Sequence, residues 1–186
     1  MKKNLKYNIA WVAIAAVVYG GLLALYNGGF ITLFTDAIIV NIGINIIAAV
    51  GLNLIIGFSG QFSLGHAGFM AIGAYSCAII TSSNPTYGGF IMGLLVGMLV
   101  SGIVAYVVGL PTLRLKGDYL AIATLGIAEI IRILIVNFRD ITNGPSGIFG
   151  LPQVTTWEVV FVFALISIIL VSNLMNSEPG RAILSV

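Results

Sequence analysis

Apolar side chains run almost without interruption from Ile9 to Tyr26 and from Ile38 to Ile56. Further apolar runs cover Leu64 to Thr81, Phe90 to Leu110, Tyr119 to Phe138 and Trp157 to Met175. Strands of a membrane barrel would instead alternate apolar and polar residues over about ten positions. Continuous runs of about 20 residues are the length of helices that cross a roughly 30 Å hydrocarbon layer. The pattern predicts an all-α, polytopic transmembrane helical bundle with about six spans. Their expected bounds are 9–26, 36–56, 64–81, 88–110, 119–138 and 157–175.

The charge pattern sharpens this reading. Between Asp36 and Arg114 lie 77 residues without one Asp, Glu, Lys or Arg. A soluble domain needs such residues to cover its surface. Charged residues are 8% of the chain, hydrophobic ones 59%, and the mean hydropathy is +1.11, which places the chain in the membrane class. Lys2, Lys3 and Lys6 precede the first run, and its apolar part is too long for a secretory leader, so it is read as a retained first helix. Six spans starting inside put both ends inside, with Arg114, Lys116 and Arg181 also inside and Arg139 outside, as the positive-inside rule requires. Basic residues clustered on one folded face, the footprint of nucleic-acid binding, are absent from the pattern. Cys77 is the sole cysteine, and no run of Cys, His, Asp or Glu has metal-ligand spacing.

Three constellations carry the candidate chemistry. The first is Gly57-Phe58-Ser59-Gly60-Gln61-Phe62-Ser63-Leu64-Gly65-His66-Ala67-Gly68, where polar residues and glycines separate two apolar runs with no charge to mark a surface loop. It reads equally as a broken helix lining a substrate path or as a tight cytoplasmic turn with Ser63 capping the next helix. Asn53, Ser59, Gln61, Ser63 and His66 are its path candidates. The form Gly57-Phe58-Ser59-Gly60 resembles the serine motif of intramembrane rhomboid proteases. Those carry a histidine on a separate span, which this chain lacks, so no catalytic residue is assigned and the chain is not read as an enzyme. His66 by itself reads most simply as a packed core residue.

The second constellation is Glu129 and Arg132, the only pair of charges within a span, three residues apart on one helix face. Intramembrane charges face the bundle or a wet cavity. The pair is a self-neutralising staple or a polar lining of the path. The third, Gly93, Gly97 and Ser101, is a small-residue ridge for helix packing. Asn41 and Asn45 share a face, from which they could bond across to a neighbouring span. Ile141–Leu151 is expected as a turn-rich outer loop, either at the surface or dipping back into the membrane.

Longer motifs then suggest a family. Gly60-Gln61-Phe62-Ser63-Leu64-Gly65-His66-Ala67-Gly68-Phe69, followed by Ile72-Gly73-Ala74-Tyr75, is one. Leu113-Arg114-Leu115-Lys116-Gly117-Asp118-Tyr119-Leu120-Ala121-Ile122 is another, continuing through Thr124-Leu125-Gly126 and Glu129-Ile130 to Arg132. Asn143-Gly144-Pro145-Ser146-Gly147-Ile148 is a third. Together they resemble the membrane subunit of branched-chain amino acid ABC importers, of the LivM type. The resemblance implies a second homologous permease subunit, two cytoplasmic ABC ATPase subunits and an external solute-binding protein. It also implies a bacterial or archaeal plasma membrane, and substrates leucine, isoleucine and valine. No phosphate-loop motif occurs in the chain, so ATP and Mg are expected on the ATPase partners and no cofactor on this chain.

In the family the last span here leads into a cytoplasmic Gly-Arg-Ala-Leu segment that meets the ATPase. Pro179-Gly180-Arg181-Ala182-Ile183 begins such a segment. Gly180 and Arg181 are therefore coupling candidates, residues 176–186 the start of the coupling segment, and 1–186 one permease domain expected to continue beyond Val186. A urea or short-chain amide importer of the same family is the alternative within this reading. From other classes come an ion-coupled secondary carrier, with Glu129 as its coupling group, and a bundle that only assembles partners.

Overall fold

The computed structural model describes residues 2–29, 31–112, 114–115, 117–178 and 180, with side chains described from residue 13 onward. Seven helices follow in order: α1 (Lys2–Asn27), α2 (Leu33–Asn53), α3 (His66–Ser83), α4 (Tyr87–Thr112), α5 (Asp118–Asn137), α6 (Arg139–Thr142) and α7 (Trp157–Asn176). A π-helical turn, Leu54–Phe58, prolongs α2, and a 3-10 turn, Gly144–Ser146, follows α6. Among the described residues there is no strand.

The fold class is that of a helical membrane bundle. Six long helices fall where the apolar runs predict them, because continuous apolar side chains are stable in lipid only when the segment satisfies its own backbone. Among the described residues, four stretches are long and apolar enough to cross a membrane: Leu33–Phe58, Tyr87–Thr112, Asp118–Asn137 and Trp157–Asn176. A shorter apolar stretch, Ala13–Asn27, lies in α1. At most 11% of each spanning stretch is buried inside the chain. Most of the apolar surface is thus left for lipid or for other polypeptides.

The helices group into two compact units, each assembled from two separate pieces of chain. One comprises Met1–Ile47 and Thr155–Leu170. Here Tyr19 packs on Trp157 and Phe161 with ring centroids 5.6 and 5.4 Å apart, and Tyr26 lies 6.2 Å from Trp157. Such tilted aromatic pairs add dispersion and quadrupole attraction beyond burial. Gly43 leaves room for the side chain of Val160, which a Cβ at that position would strike.

The other unit comprises Ala48–Val154 and Val171–Val186. Its centre is α3, held against α4 and α5. Gly93 and Gly97 of α4 face α3 so closely that a Cβ would come 3.0 Å from Cys77 Cα and 3.1 Å from the Gly73 carbonyl. One turn on, the Ser101 hydroxyl donates to the Phe69 carbonyl at 3.4 Å. Small residues let the two backbones approach, which is the main source of helix association once lipid has replaced water.

Two local expectations are corrected. Asn41 and Asn45 do not bond across to another span. Their amides donate to the Ala37 and Asn41 carbonyls of their own helix, at 3.0 and 2.9 Å, since a carbonyl four residues back is always within reach of a short side chain. Ser63 does not cap α3. The capping position is Gly65, and Ser63 Oγ accepts only a long bond, 3.4 Å, from the Gly65 amide.

The turn-rich segment after α5 is built from its own polar groups. The Thr142 hydroxyl donates to the Ile135 and Phe138 carbonyls at 2.6 and 2.8 Å and accepts from the Gly144 amide. Asn143, the one non-glycine residue with positive φ among those described, sends its amide to the Gly147 carbonyl at 2.9 Å. Asparagine tolerates this left-handed conformation because its short side chain can bond locally. A Cβ on Gly147 would sit 3.9 Å from the hydroxyl of Tyr75, halfway along α3. The segment is therefore folded alongside α3.

Candidate functional site

The glycine-rich patch begins where α2 changes to a π-helical turn. The Ser59 hydroxyl donates back to the Ile55 carbonyl, and the Gln61 amide reaches the same carbonyl at 3.3 Å. Gly60, with φ of +64°, then reverses the chain, a conformation that costs glycine nothing and side-chain-bearing residues much more. Asn53 lies on the exposed side of α2, and a Cβ at Gly57 would collide with its side-chain carbonyl.

From there the patch is sewn to α5. Thr124 Oγ1 accepts the Leu64 amide at 3.0 Å and donates to the Ala121 carbonyl at 3.0 Å. Gly65 is buried against Thr124, where a Cβ would come 3.1 Å from its carbonyl oxygen. At Gly68 a Cβ would come 2.9 Å from Ala128 Cα and 3.0 Å from Ile131 Cδ1. Thr124 is six residues into α5, about 9 Å along its axis. The patch thus meets α5 within the depth of the spanning helix, above the level at which α5 begins. Sequence reasoning named Thr124 only within a family motif and gave it no role. Its signal is only a hydroxyl amid apolar residues, which without the fold has no partner to name.

His66 opens α3 at this point, with Gly51 of α2 beside its ring, where a Cβ would sit 3.5 Å from Cε1. Its Nε2 is shielded from solvent and has no hydrogen-bond partner among the described residues. The structure therefore brings the turn that carries Ser63 and His66 against Thr124 of α5.

Glu129 and Arg132 stand apart from that turn. At 3.6 residues per turn, Glu129 lies about 140° around α5 from Thr124. Arg132 Nε donates to both carboxylate oxygens of Glu129, at 3.1 and 2.9 Å, and Nη2 donates to Oε1. This is the one ion pair among the described residues. Both side chains face outward from the chain, 67% and 50% exposed for Arg132 and Glu129. Of the coupling candidates, Gly180 is described and buried, packed so tightly on Leu174 and Met175 that a Cβ would collide with them. Arg181 lies outside the described residues, as do Lys116 and the side chains of Lys2, Lys3 and Lys6.

A cavity of about 310 Å³ in the other unit was not anticipated. Asp36, Glu158, Thr32, Thr156 and Trp157 are among its lining residues. Asp36 and Glu158 occupy first turns, of α2 and α7, where the positive helix ends favour carboxylates. Asp36 Oδ1 is shielded and unpartnered among the described residues.

Apolar helices of spanning length define a multi-pass membrane protein. The family described as "Branched-chain amino acid transport system / permease component" matches residues 34–185, and the chain belongs to it. Over 94 residues it is 48% identical to the "High-affinity branched-chain amino acid transport system permease protein LivM" of Salmonella typhimurium strain LT2. It is 46% identical over the same length to the protein of that name from Escherichia coli K12. Each match covers 50% of this chain and 21% of the relative. No solved structure matches the chain.

Proposed function

We propose that this chain is a membrane-spanning permease subunit of an ATP-driven importer of leucine, isoleucine and valine. The observation that carries this reading is the family match across residues 34–185. The irregular patch at Ser63 and His66, held against Thr124 of α5, supports it, since a broken helix of this kind can line a substrate path. In this reading a second homologous permease completes the path. Two ABC ATPases bind and hydrolyse ATP with Mg, and an external binding protein delivers the solute. Gly180 and Arg181 belong to the segment that meets the ATPases, with the N-terminus cytoplasmic in a bacterial or archaeal plasma membrane.

The test is transport by the reconstituted assembly. With both permeases, the ATPases and the binding protein in lipid vesicles, radiolabelled leucine should accumulate only when ATP is present on the ATPase side. Isoleucine and valine should compete, and urea should not. Uptake driven by an ion gradient without ATP would replace this reading with the secondary carrier.

Orientation has its own measurement. In a Cys77→Ala background, a cysteine at Arg139 should react with an impermeant thiol reagent added outside intact cells, and one at Lys116 should stay shielded. The reverse pattern would overturn the inside placement of the N-terminus.

A further inference from the structure

The Glu129–Arg132 pair has an unused half. A guanidinium presents two edges that can each hold a carboxylate in a fork: Nε with Nη2, and Nη1 with Nη2. Glu129 occupies the first edge. The second edge is free, because Nη1 donates to no group among the described residues. Glu129 in turn is an acceptor with spare lone pairs, since Arg132 supplies its only side-chain bonds here. A positive fork and a negative acceptor therefore stand side by side and open outward, with the pair itself intact.

Their setting is equally specific. Glu129 lies about 16 Å along α5 from Asp118, near mid-membrane. Charges at that depth face protein or water and avoid lipid. Within this chain nothing covers them, as their exposure shows. The same face of α5 carries Ile122 and Ile133, which are 67% and 47% exposed. Gly126, one turn before Glu129, has open space where a Cβ would stand.

We infer that the outward face of α5 at Gly126, Glu129 and Arg132 is a seat for a zwitterionic amino acid in a water-filled path. The solute's carboxylate takes the free Nη1/Nη2 edge of Arg132, its ammonium group docks on Glu129, and its aliphatic side chain lies on the neighbouring isoleucines. The occupant is fixed by charge complementarity. A lone anion would leave Glu129 facing it, and a lone cation would face Arg132. A molecule carrying both charges close together, as an α-amino acid does, satisfies both groups. Because the seat is a self-neutral pair, its hold is weak enough for release, as a path requires.

This inference rests on the permease reading, and the experiment separates the two. Cysteine is introduced at Gly126 in a Cys77→Ala chain, the complete transporter is assembled in nanodiscs, and labelling of that cysteine by a water-soluble thiol reagent is followed by mass spectrometry. Expected is ready labelling that L-leucine slows at least fivefold. Neither 4-methylpentanoate, which lacks the ammonium group, nor 3-methylbutylamine, which lacks the carboxylate, should slow it comparably. An unreactive cysteine would mean lipid or a dry subunit contact on this face and would overturn the inference. So would equal protection by the singly charged analogues, or none by leucine.

Arg132→Lys supplies a second arm. Lysine preserves charge neutrality but has no second fork, so ATP-driven leucine uptake per assembled complex should fall at least tenfold while assembly is kept. Uptake equal to that of the unmodified complex would assign the pair a structural role only. If the unmodified complex shows no ATP-driven leucine uptake at all, the permease reading fails and takes the inference with it.

Discussion

Glu129→Gln alone, and Arg132→Gln alone, should each lower the amount of assembled membrane protein severalfold, while the double replacement restores most of it. In the native chain each charge is satisfied by the other through bonds of 2.9 to 3.1 Å and a further Nη2 contact. Removing one partner leaves the other without a counter-charge while α5 inserts, before a path encloses it, and that is costly on every insertion scale. The double replacement removes both charges and leaves two amides that can bond to each other or to helix carbonyls. The measurement is quantitative immunodetection of the assembled, detergent-stable complex at matched expression. Equal assembly of the two singles and the double would show that the pairing does not contribute to folding. Uptake by the double variant should stay low even where assembly recovers, because the paired charges serve the solute as well as each other.

Gly68→Ala should destabilise the protein by about 1–3 kcal/mol, the usual cost of forcing a methyl group into a packed contact. The obstacle is backbone: a Cβ at Gly68 would stand 2.9 Å from Ala128 Cα, 3.2 Å from Ala128 Cβ and 3.0 Å from Ile131 Cδ1. A side-chain end can swing away, but the Cα of a neighbouring helix moves only with the helix. α3 and α5 would part at the point where Thr124 holds the Leu64 amide, so the patch around His66 would shift with them. Gly102→Ala in α4 is the control. No atom lies within 4 Å of its Cβ position, so alanine should be neutral or stabilise by about 0.5–1 kcal/mol through helix propensity. Thermal unfolding of the purified protein in one detergent compares the two. A Gly68→Ala protein as stable as the Gly102→Ala control would show that α3 and α5 do not depend on this contact.

How much of this was legible beforehand differs from feature to feature. The bounds of the long helices were, because the bilayer imposes one rule everywhere: a spanning segment must be apolar along its whole length and satisfy its own backbone. The sixth span was expected over 157–175, and α7 is Trp157–Asn176. The fifth was expected over 119–138, and α5 is Asp118–Asn137. Family membership was legible in the motifs running from Gly60 to Ile148, which hold their order along the chain.

Partners in space were not legible. Asn41 and Asn45 have the composition of interhelical groups and yet bond to their own helix. Nothing in a spacing distinguishes the two, because a carbonyl four residues back is always available. Thr124 was named in a motif but given no role for the converse reason, since that role exists only through Leu64, sixty residues earlier in the chain.

The sequence by itself therefore determined the solvent of this protein, the number and extent of its long helices, and its family. Those depend on composition and periodicity, which are local. Only the tertiary structure decided that the glycines of the patch let α3 close on α5, that the patch meets α5 partway along it, and that Glu129 and Arg132 are exposed with one guanidinium edge free. Those depend on which helix faces meet. In lipid the faces are chosen by close fit between small residues, a property of two surfaces together that no single stretch of chain encodes.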